Sequence, residues 1–236
     1  MLLALMTFSS CHGREDPGEV LSEAKQDAVD GNFEQALNKH IWFHEHSLDK
    51  DPSYYGVRLS FALSDWMELG KKYPKALEEL KKIRDKDTAL LAGGQGNEAL
   101  FHDVEAINKQ LGETDATVDL FKQIDQARPE FAASIYYLAE EALITAGKYP
   151  LAKKYLGNPQ DQFATARRNY ESGLQFSAVQ AKDSDVSRHA FETIFTEKVV
   201  RLITVLDKTG DHKQALEIQS QALKLLNSGA IKAAIN

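Results

Sequence analysis

The chain has 236 residues, 43% of them hydrophobic, which is enough for one large domain or two small ones around a packed core. Lys and Arg number 28 against 35 Asp and Glu, a net charge of −7, and this excludes a general nucleic-acid binder, which needs a basic face to displace counterions. The single cysteine excludes an intrachain disulfide and a zinc site built from cysteines.

The chain opens on an apolar run, Leu2 to Phe8, followed by Ser9, Ser10 and the sole cysteine, Cys11. This run is too short to cross a bilayer as a helix, and no later run approaches the roughly 18 apolar residues a span requires. An apolar stretch followed by small residues belongs to a secretory signal, although the usual basic start is absent. Phe8-Ser9-Ser10-Cys11 resembles a bacterial lipoprotein signal, with Phe8 where leucine is usual. The resemblance implies a lipidated Cys11 as first mature residue, residues 1–16 as signal remnant and tether, and a place in the cell envelope. Without lipidation the location is cytoplasmic.

Beyond residue 17 the apolar spacing is helical and shows no strict alternation. In 57–69 the apolar positions are Val57, Leu59, Phe61, Ala62, Leu63, Trp66, Met67 and Leu69, which include i, i+3, i+4 and i+7 partners. The segments 98–111, 130–146, 160–180 and 187–208 follow the same period, so the expected class is all-α. The breaks are short: Asp51-Pro52, Arg128-Pro129, Gly157-Asn158-Pro159 and Lys182 to Asp185. The longest runs from Asp85 to Asn97 and contains Gly93-Gly94-Gln95-Gly96. Connections this short predict antiparallel neighbours.

One phrase recurs along the chain. Gly31-Asn32-Phe33-Glu34-Gln35-Ala36-Leu37 is followed by Gly70-Lys71-Lys72-Tyr73-Pro74-Lys75-Ala76-Leu77, one residue longer. Gly147-Lys148-Tyr149-Pro150-Leu151-Ala152 and Gly210-Asp211-His212-Lys213-Gln214-Ala215-Leu216 repeat it, and a degenerate copy at Gly112 carries Thr117 in place of alanine. Each glycine, Gly70 and Gly147 included, is expected to end a helix. Asn32 with Gln35, and Asp211 with Gln214, stand at capping-box spacing, while Pro74 and Pro150 suit a first helical turn. The alanine lets the two helices of a pair approach closely.

These residues resemble the tetratricopeptide repeat family, whose phrase is Gly-x-Tyr-x-x-Ala. Phe121, Ile124 and Pro129 match the tail of the family pattern, and Trp66, Tyr136, Ala139 and Leu143 match its leading helices. Successive glycines lie 39, 42, 35 and 63 residues apart, against a family period of 34. The last gap leaves room for another pair in 160–208, either a true repeat pair or a longer capping pair. The resemblance implies an α-solenoid of antiparallel helix pairs over residues 17–232, about ten or eleven helices in a right-handed superhelix with a concave groove. It implies a non-enzymatic scaffold that binds a protein or peptide partner, needs no cofactor, and touches a membrane only through the N-terminal lipid. From that register the groove-facing candidates are Ser60, Ser64, Met67, His102, Lys109, Tyr137 and Glu141, which lack the Lys/Asn/Arg set used to clamp a terminal carboxylate.

The densest chemical cluster is His40-Ile41-Trp42-Phe43-His44-Glu45-His46. His40 and His44 are four apart and share a helix face, a spacing that can hold a metal. The order is not His-Glu-x-x-His and no third ligand is identifiable, so packing histidines are the plainer reading and a metal-dependent enzyme is the rival. Gly93 to Gly96 lacks the strand and the Lys-Ser/Thr of a phosphate loop. Arg167-Arg168 with Tyr170 could stack on an anion, but reads as a solvated face. Cys11 has only His12 beside it and nothing to orient either as a nucleophile and base. A third reading is a structural protein whose helices in 187–228 pair with another copy.

Overall fold

A computed structural model describes residues 16–179 and 184–235. Every regular element among them is helical. The chain divides into two compact units, the first ending at Glu113 and the second beginning at Thr114. The first holds α1 (Pro17–Asp30), α2 (Phe33–Lys50), a 3₁₀ turn (Pro52–Tyr54), α3 (Tyr55–Leu59), α4 (Phe61–Lys72), α5 (Pro74–Ala92) and α6 (Glu98–Leu111). The second holds α7 (Thr114–Ala127), α8 (Pro129–Thr145), α9 (Tyr149–Tyr155), α10 (Pro159–Val179), α11 (Ser184–Lys208), α12 (His212–Leu225) and α13 (Gly229–Lys232).

The repeated phrase marks the helix junctions. Gly31, Gly112, Gly147 and Gly210 are left-handed, at φ 83°, 70°, 68° and 90°, a conformation that costs glycine little and ends the preceding helix. Three residues after Phe33, Tyr73, Tyr149 and His212 come Ala36, Ala76, Ala152 and Ala215, all at 0% exposure, and Thr117 holds the same place at 2%. A larger side chain at the four alanines would separate the paired helices α1 and α2, α4 and α5, α8 and α9, and α11 and α12. Antiparallel pairing is visible in the contacts. In the first unit Lys39 of α2 reaches back to Asp27 of α1, and Trp66 of α4 donates to the Ala76 carbonyl of α5 at 2.8 Å. In the second, Phe163 and Tyr170 of α10 pack on Phe195 of α11, while Gly173 meets Phe191.

Several boundaries differ from expectation. Gly70 does not end a helix. α4 continues to Lys72, and Gly70 is buried where an added Cβ would lie 2.4 Å from Leu77 Cγ, so its role is close approach between α4 and α5. The segment 57–69 is not one helix. Ser60, at φ −128° and ψ −89°, breaks it into α3 and α4, and its hydroxyl donates to the Gly56 carbonyl at 2.6 Å. The interhelical break at 85–97 shrinks to Gly93–Asn97, because good helix formers continue α5 to Ala92 and Leu91 anchors it at 1% exposure. Asn32 and Asp211 stand at N-caps without a capping bond, since their ψ values of 56° and 43° turn them away from the extended geometry a cap needs. Asp16, Asn97 and Asn158 do cap their helices, Asn97 Oδ1 accepting from Leu100 N at 3.0 Å. The described residues form 13 α-helices rather than about ten or eleven, the short α3 and α13 among them.

Each unit has its own core. In the first, Trp66, Leu63, Leu69, Leu37, Leu80 and Ile107 form the main cluster. In the second, Phe121, Leu143, Phe195, Val199, Ile203 and Ile218 are fully or almost fully buried. Full burial of a side chain of this size contributes about 1.5–3 kcal/mol. The region 160–208 is a long pair, α10 of 21 residues packed on α11 of 25. No described helix is long and apolar enough to cross a membrane.

Candidate functional site

The expected groove residues fall in both units. Ser60, at the break before α4, and Ser64, on α4, are exposed, and between them Phe61 stands 70% exposed. Met67 is half-buried against the Trp66 cluster. His102 of α6 is half-buried, its Nδ1 2.9 Å from the Tyr55 hydroxyl, and burial lowers its pKa. Lys109 is exposed in the last turn of α6. In the second unit Tyr137 (57% exposed) and the exposed Glu141 lie one turn apart on α8, with Glu141 Oε2 3.5 Å from Arg201 Nη1. Cys11 lies outside the described residues.

His40 and His44 share a face as expected, but that face is the core. They are 2% and 6% exposed, with ring centroids 5.6 and 6.1 Å from that of Trp66. The cation nearest His44 is Arg58, buried from α3. Its Nη2 lies 3.1 Å from His44 Nε2, Nε donates to the His44 carbonyl at 2.6 Å, and Nη1 bonds the buried Asp103 of α6. A guanidinium against the imidazole nitrogen opposes a metal there. Among the described residues no group of three or more His, Cys, Asp or Glu could hold a metal ion. The donor set therefore does not fit a metal centre, and the cluster is a buried polar network tying α2, α3 and α6 together.

Burial, with Lys25 adding to it, pushes the His40 pKa down to about 4, and burial with Arg58 pushes His44 to about 3, from 6.5. The unfolded chain therefore takes up protons on these rings before the folded chain does. Stability is unaffected by them above pH 6.5 and falls as pH drops toward 4 and 3, by about 1.4 kcal/mol per pH unit per ring. His40 Nδ1 has no hydrogen-bond partner, so His40→Phe removes an unsatisfied buried atom and keeps a ring on Trp66. The expected result is stability at pH 7.5 within about 1.5 kcal/mol of wild type and a shallower acid limb. Urea midpoints from pH 7.5 to 4.5 check this, and identical pH slopes would contradict the assignment.

In the second unit a cavity of about 610 Å³ lies between α10 and α11. Ala166 and Tyr170 from α10 and Phe195 from α11 form its buried floor. Phe191 adds a wall, and Phe176 and Ile194 are 53% and 59% exposed. Lys198 and Arg201 stand at the end toward the C-terminus of α11. Lys198 Nζ lies 2.7 Å from Oε2 of the buried Glu140 of α8, and Arg201 Nε lies 3.6 Å from the same oxygen without a hydrogen bond. Arg167 and Arg168 form no anion site: Arg167 pairs with Glu171 at 2.7 Å, Arg168 bonds Thr165, and Tyr170 stacks on Phe195.

Sequence reasoning missed Phe61, the Arg58–Asp103 pair and this cavity. For the cavity a signal existed, since Phe191, Ile194, Phe195 and Lys198 recur at helical spacing, but such a stripe reads as core. No family model matches the chain, and no curated protein does. Among solved structures, the crystal structure of MamA protein is similar over 88% of this chain and 90% of that chain, at 15% identity and a TM-score of 0.38. Function is therefore read from the chain's own residues.

Proposed function

We propose that this chain is a non-enzymatic scaffold of the tetratricopeptide type, which presents the solvent faces of its leading helices to a protein partner and is held at the bacterial cell envelope by a lipid on Cys11. One observation carries the reading: large aromatics, Phe61 on α4 and Tyr137 on α8, stand 70% and 57% exposed beside the expected groove residues. Aromatic side chains kept in water on a rigid helix are the kind of anchor that dominates protein interfaces. Ser60 and Ser64 flank the first, and Glu141 lies one turn from the second. The mechanism is shape and burial, with no covalent step, and the net charge of −7 supports a protein rather than a nucleic-acid partner.

The test compares wild type with Phe61→Ala and Tyr137→Ala in a crosslinking pull-down from native cells. The expected result is at least a tenfold loss of one captured protein by either variant, with unfolding midpoints unchanged. That loss corresponds to about 1.4 kcal/mol, the scale of an interface anchor. Equal capture by all three proteins would contradict the reading. The mass of the N-terminal peptide from the same bait reports the anchor, a diacylglyceryl addition on Cys11 being expected and an intact Met1 peptide contradicting it.

A further inference from the structure

We infer that the cavity between α10 and α11 is a binding site for a single-chain anionic amphiphile, a long-chain monocarboxylate. Its volume of about 610 Å³ lies in the range of sites that enclose one small ligand. Its chemistry is divided along its length. The floor of Ala166, Tyr170 and Phe195 is buried, and the Phe191 and Phe176 end carries no charged side chain among the lining residues. Charge enters only at the other end, where both charged lining groups, Lys198 and Arg201, are cationic. An acyl chain suits the first part and a carboxylate the second.

Arg201 marks where the head sits. A guanidinium carries five N–H donors. Arg201 makes one hydrogen bond, a long one of 3.5 Å to Glu141, and its buried Nε makes none although Glu140 Oε2 is 3.6 Å away. Glu140 is already bonded by Lys198 at 2.7 Å, so it neutralises charge without satisfying the guanidinium. A planar carboxylate is the group whose geometry matches such a fork. A cationic amphiphile would meet Lys198 and Arg201 head-on, and a neutral one would offer the guanidinium an acceptor without the counter-charge. The cavity is also shaped by close packing. Gly173 lets the Phe191 ring lie where a Cβ would approach to 2.3 Å, which sets Phe191 against α10 as a wall.

The test is calorimetric titration of the full chain with laurate below its critical micelle concentration, beside dodecanol and dodecyltrimethylammonium. Saturable one-to-one binding of laurate is expected, at least tenfold tighter than dodecanol, with no binding of the cation. Arg201→Gln should bring laurate down to the level of dodecanol, and Arg201→Lys should restore part of the preference. Asn169→Trp, on the exposed rim, fills the mouth without touching the core and should abolish binding of both. Circular dichroism establishes that each variant stays folded. Absence of saturable laurate binding, equal affinity for dodecanol, or laurate binding unaffected by Asn169→Trp would each overturn the proposal. An acidic amphipathic peptide that displaces laurate and binds more tightly would overturn it in favour of a protein segment. The scaffold reading uses Phe61 and Tyr137 instead, so its pull-down stands or falls separately.

Discussion

Asp103→Ala is expected to destabilise the first unit by about 3–5 kcal/mol, because it strands a buried guanidinium. Arg58 and Asp103 are 8% and 7% exposed and bonded directly to each other. With the carboxylate gone, the hydrogen bonds left to Arg58 go to a neutral His44 ring and a carbonyl, which return no charge, and Asp87 acts on it only through space. The penalty comes from the stranded charge more than from the lost attraction. The double substitution Arg58→Met with Asp103→Leu removes both charges and should recover at least half of the loss. Both tryptophans, Trp42 and Trp66, belong to the first unit, so urea unfolding followed by tryptophan fluorescence reads the effect there. A loss under about 1 kcal/mol would mean that water or another group supplies what Asp103 does.

Trp66→Ala should cost a similar amount, about 3–5 kcal/mol, by a different route. Trp66 is 1% exposed at the centre of the first core, where His40 stacks on its face and His44 meets it edge-on. Its indole N–H donates to the Ala76 carbonyl at 2.8 Å, which joins α4 to α5 at the repeat's alanine position. Alanine there opens a cavity and removes the indole bond to a carbonyl that lies within the α5 helix. Trp66→Phe keeps most of the volume and should cost about 0.5–1.5 kcal/mol, the net worth of one hydrogen bond. Urea unfolding followed by circular dichroism at fixed pH separates the two. Equal losses for Ala and Phe would place the whole effect in the hydrogen bond.

What was legible in the chain was the junction chemistry. A helix-ending glycine and a small residue five further on, with a ring between them at Phe33, Tyr149 and His212, act over a few neighbouring positions, so Gly31, Gly112, Gly147 and Gly210 are found where the phrase places them. The second copy shows the limit of reading by the glycine. Tyr73 to Ala76 has the spacing of Phe33 to Ala36, so Lys71 and not Gly70 stands at the place of Gly31. Aligning on the buried alanine gives the right register, since tight packing tolerates no slip there. Phe61 was hidden because apolar periodicity across 57–69 assumes one unbroken helix, and the turn at Ser60 resets the phase so that Phe61 faces water. Arg58 and Asp103 lie 45 residues apart, and no local pattern links them. His40 and His44 read correctly as sharing a face, but which face was decided by Trp66, on another helix.

The proposed function requires protein contact through the solvent faces of the leading helices. Site-specific photocrosslinking in native cells tests this directly, with a photoreactive residue placed in turn at positions 61, 137, 82 and 217. Lys82 and Glu217 are exposed on the trailing helices α5 and α12 and serve as controls. Discrete protein adducts are expected from 61 and 137 and none from 82 or 217. Adducts from the controls alone, or none from position 61 and position 137, would contradict the proposed function.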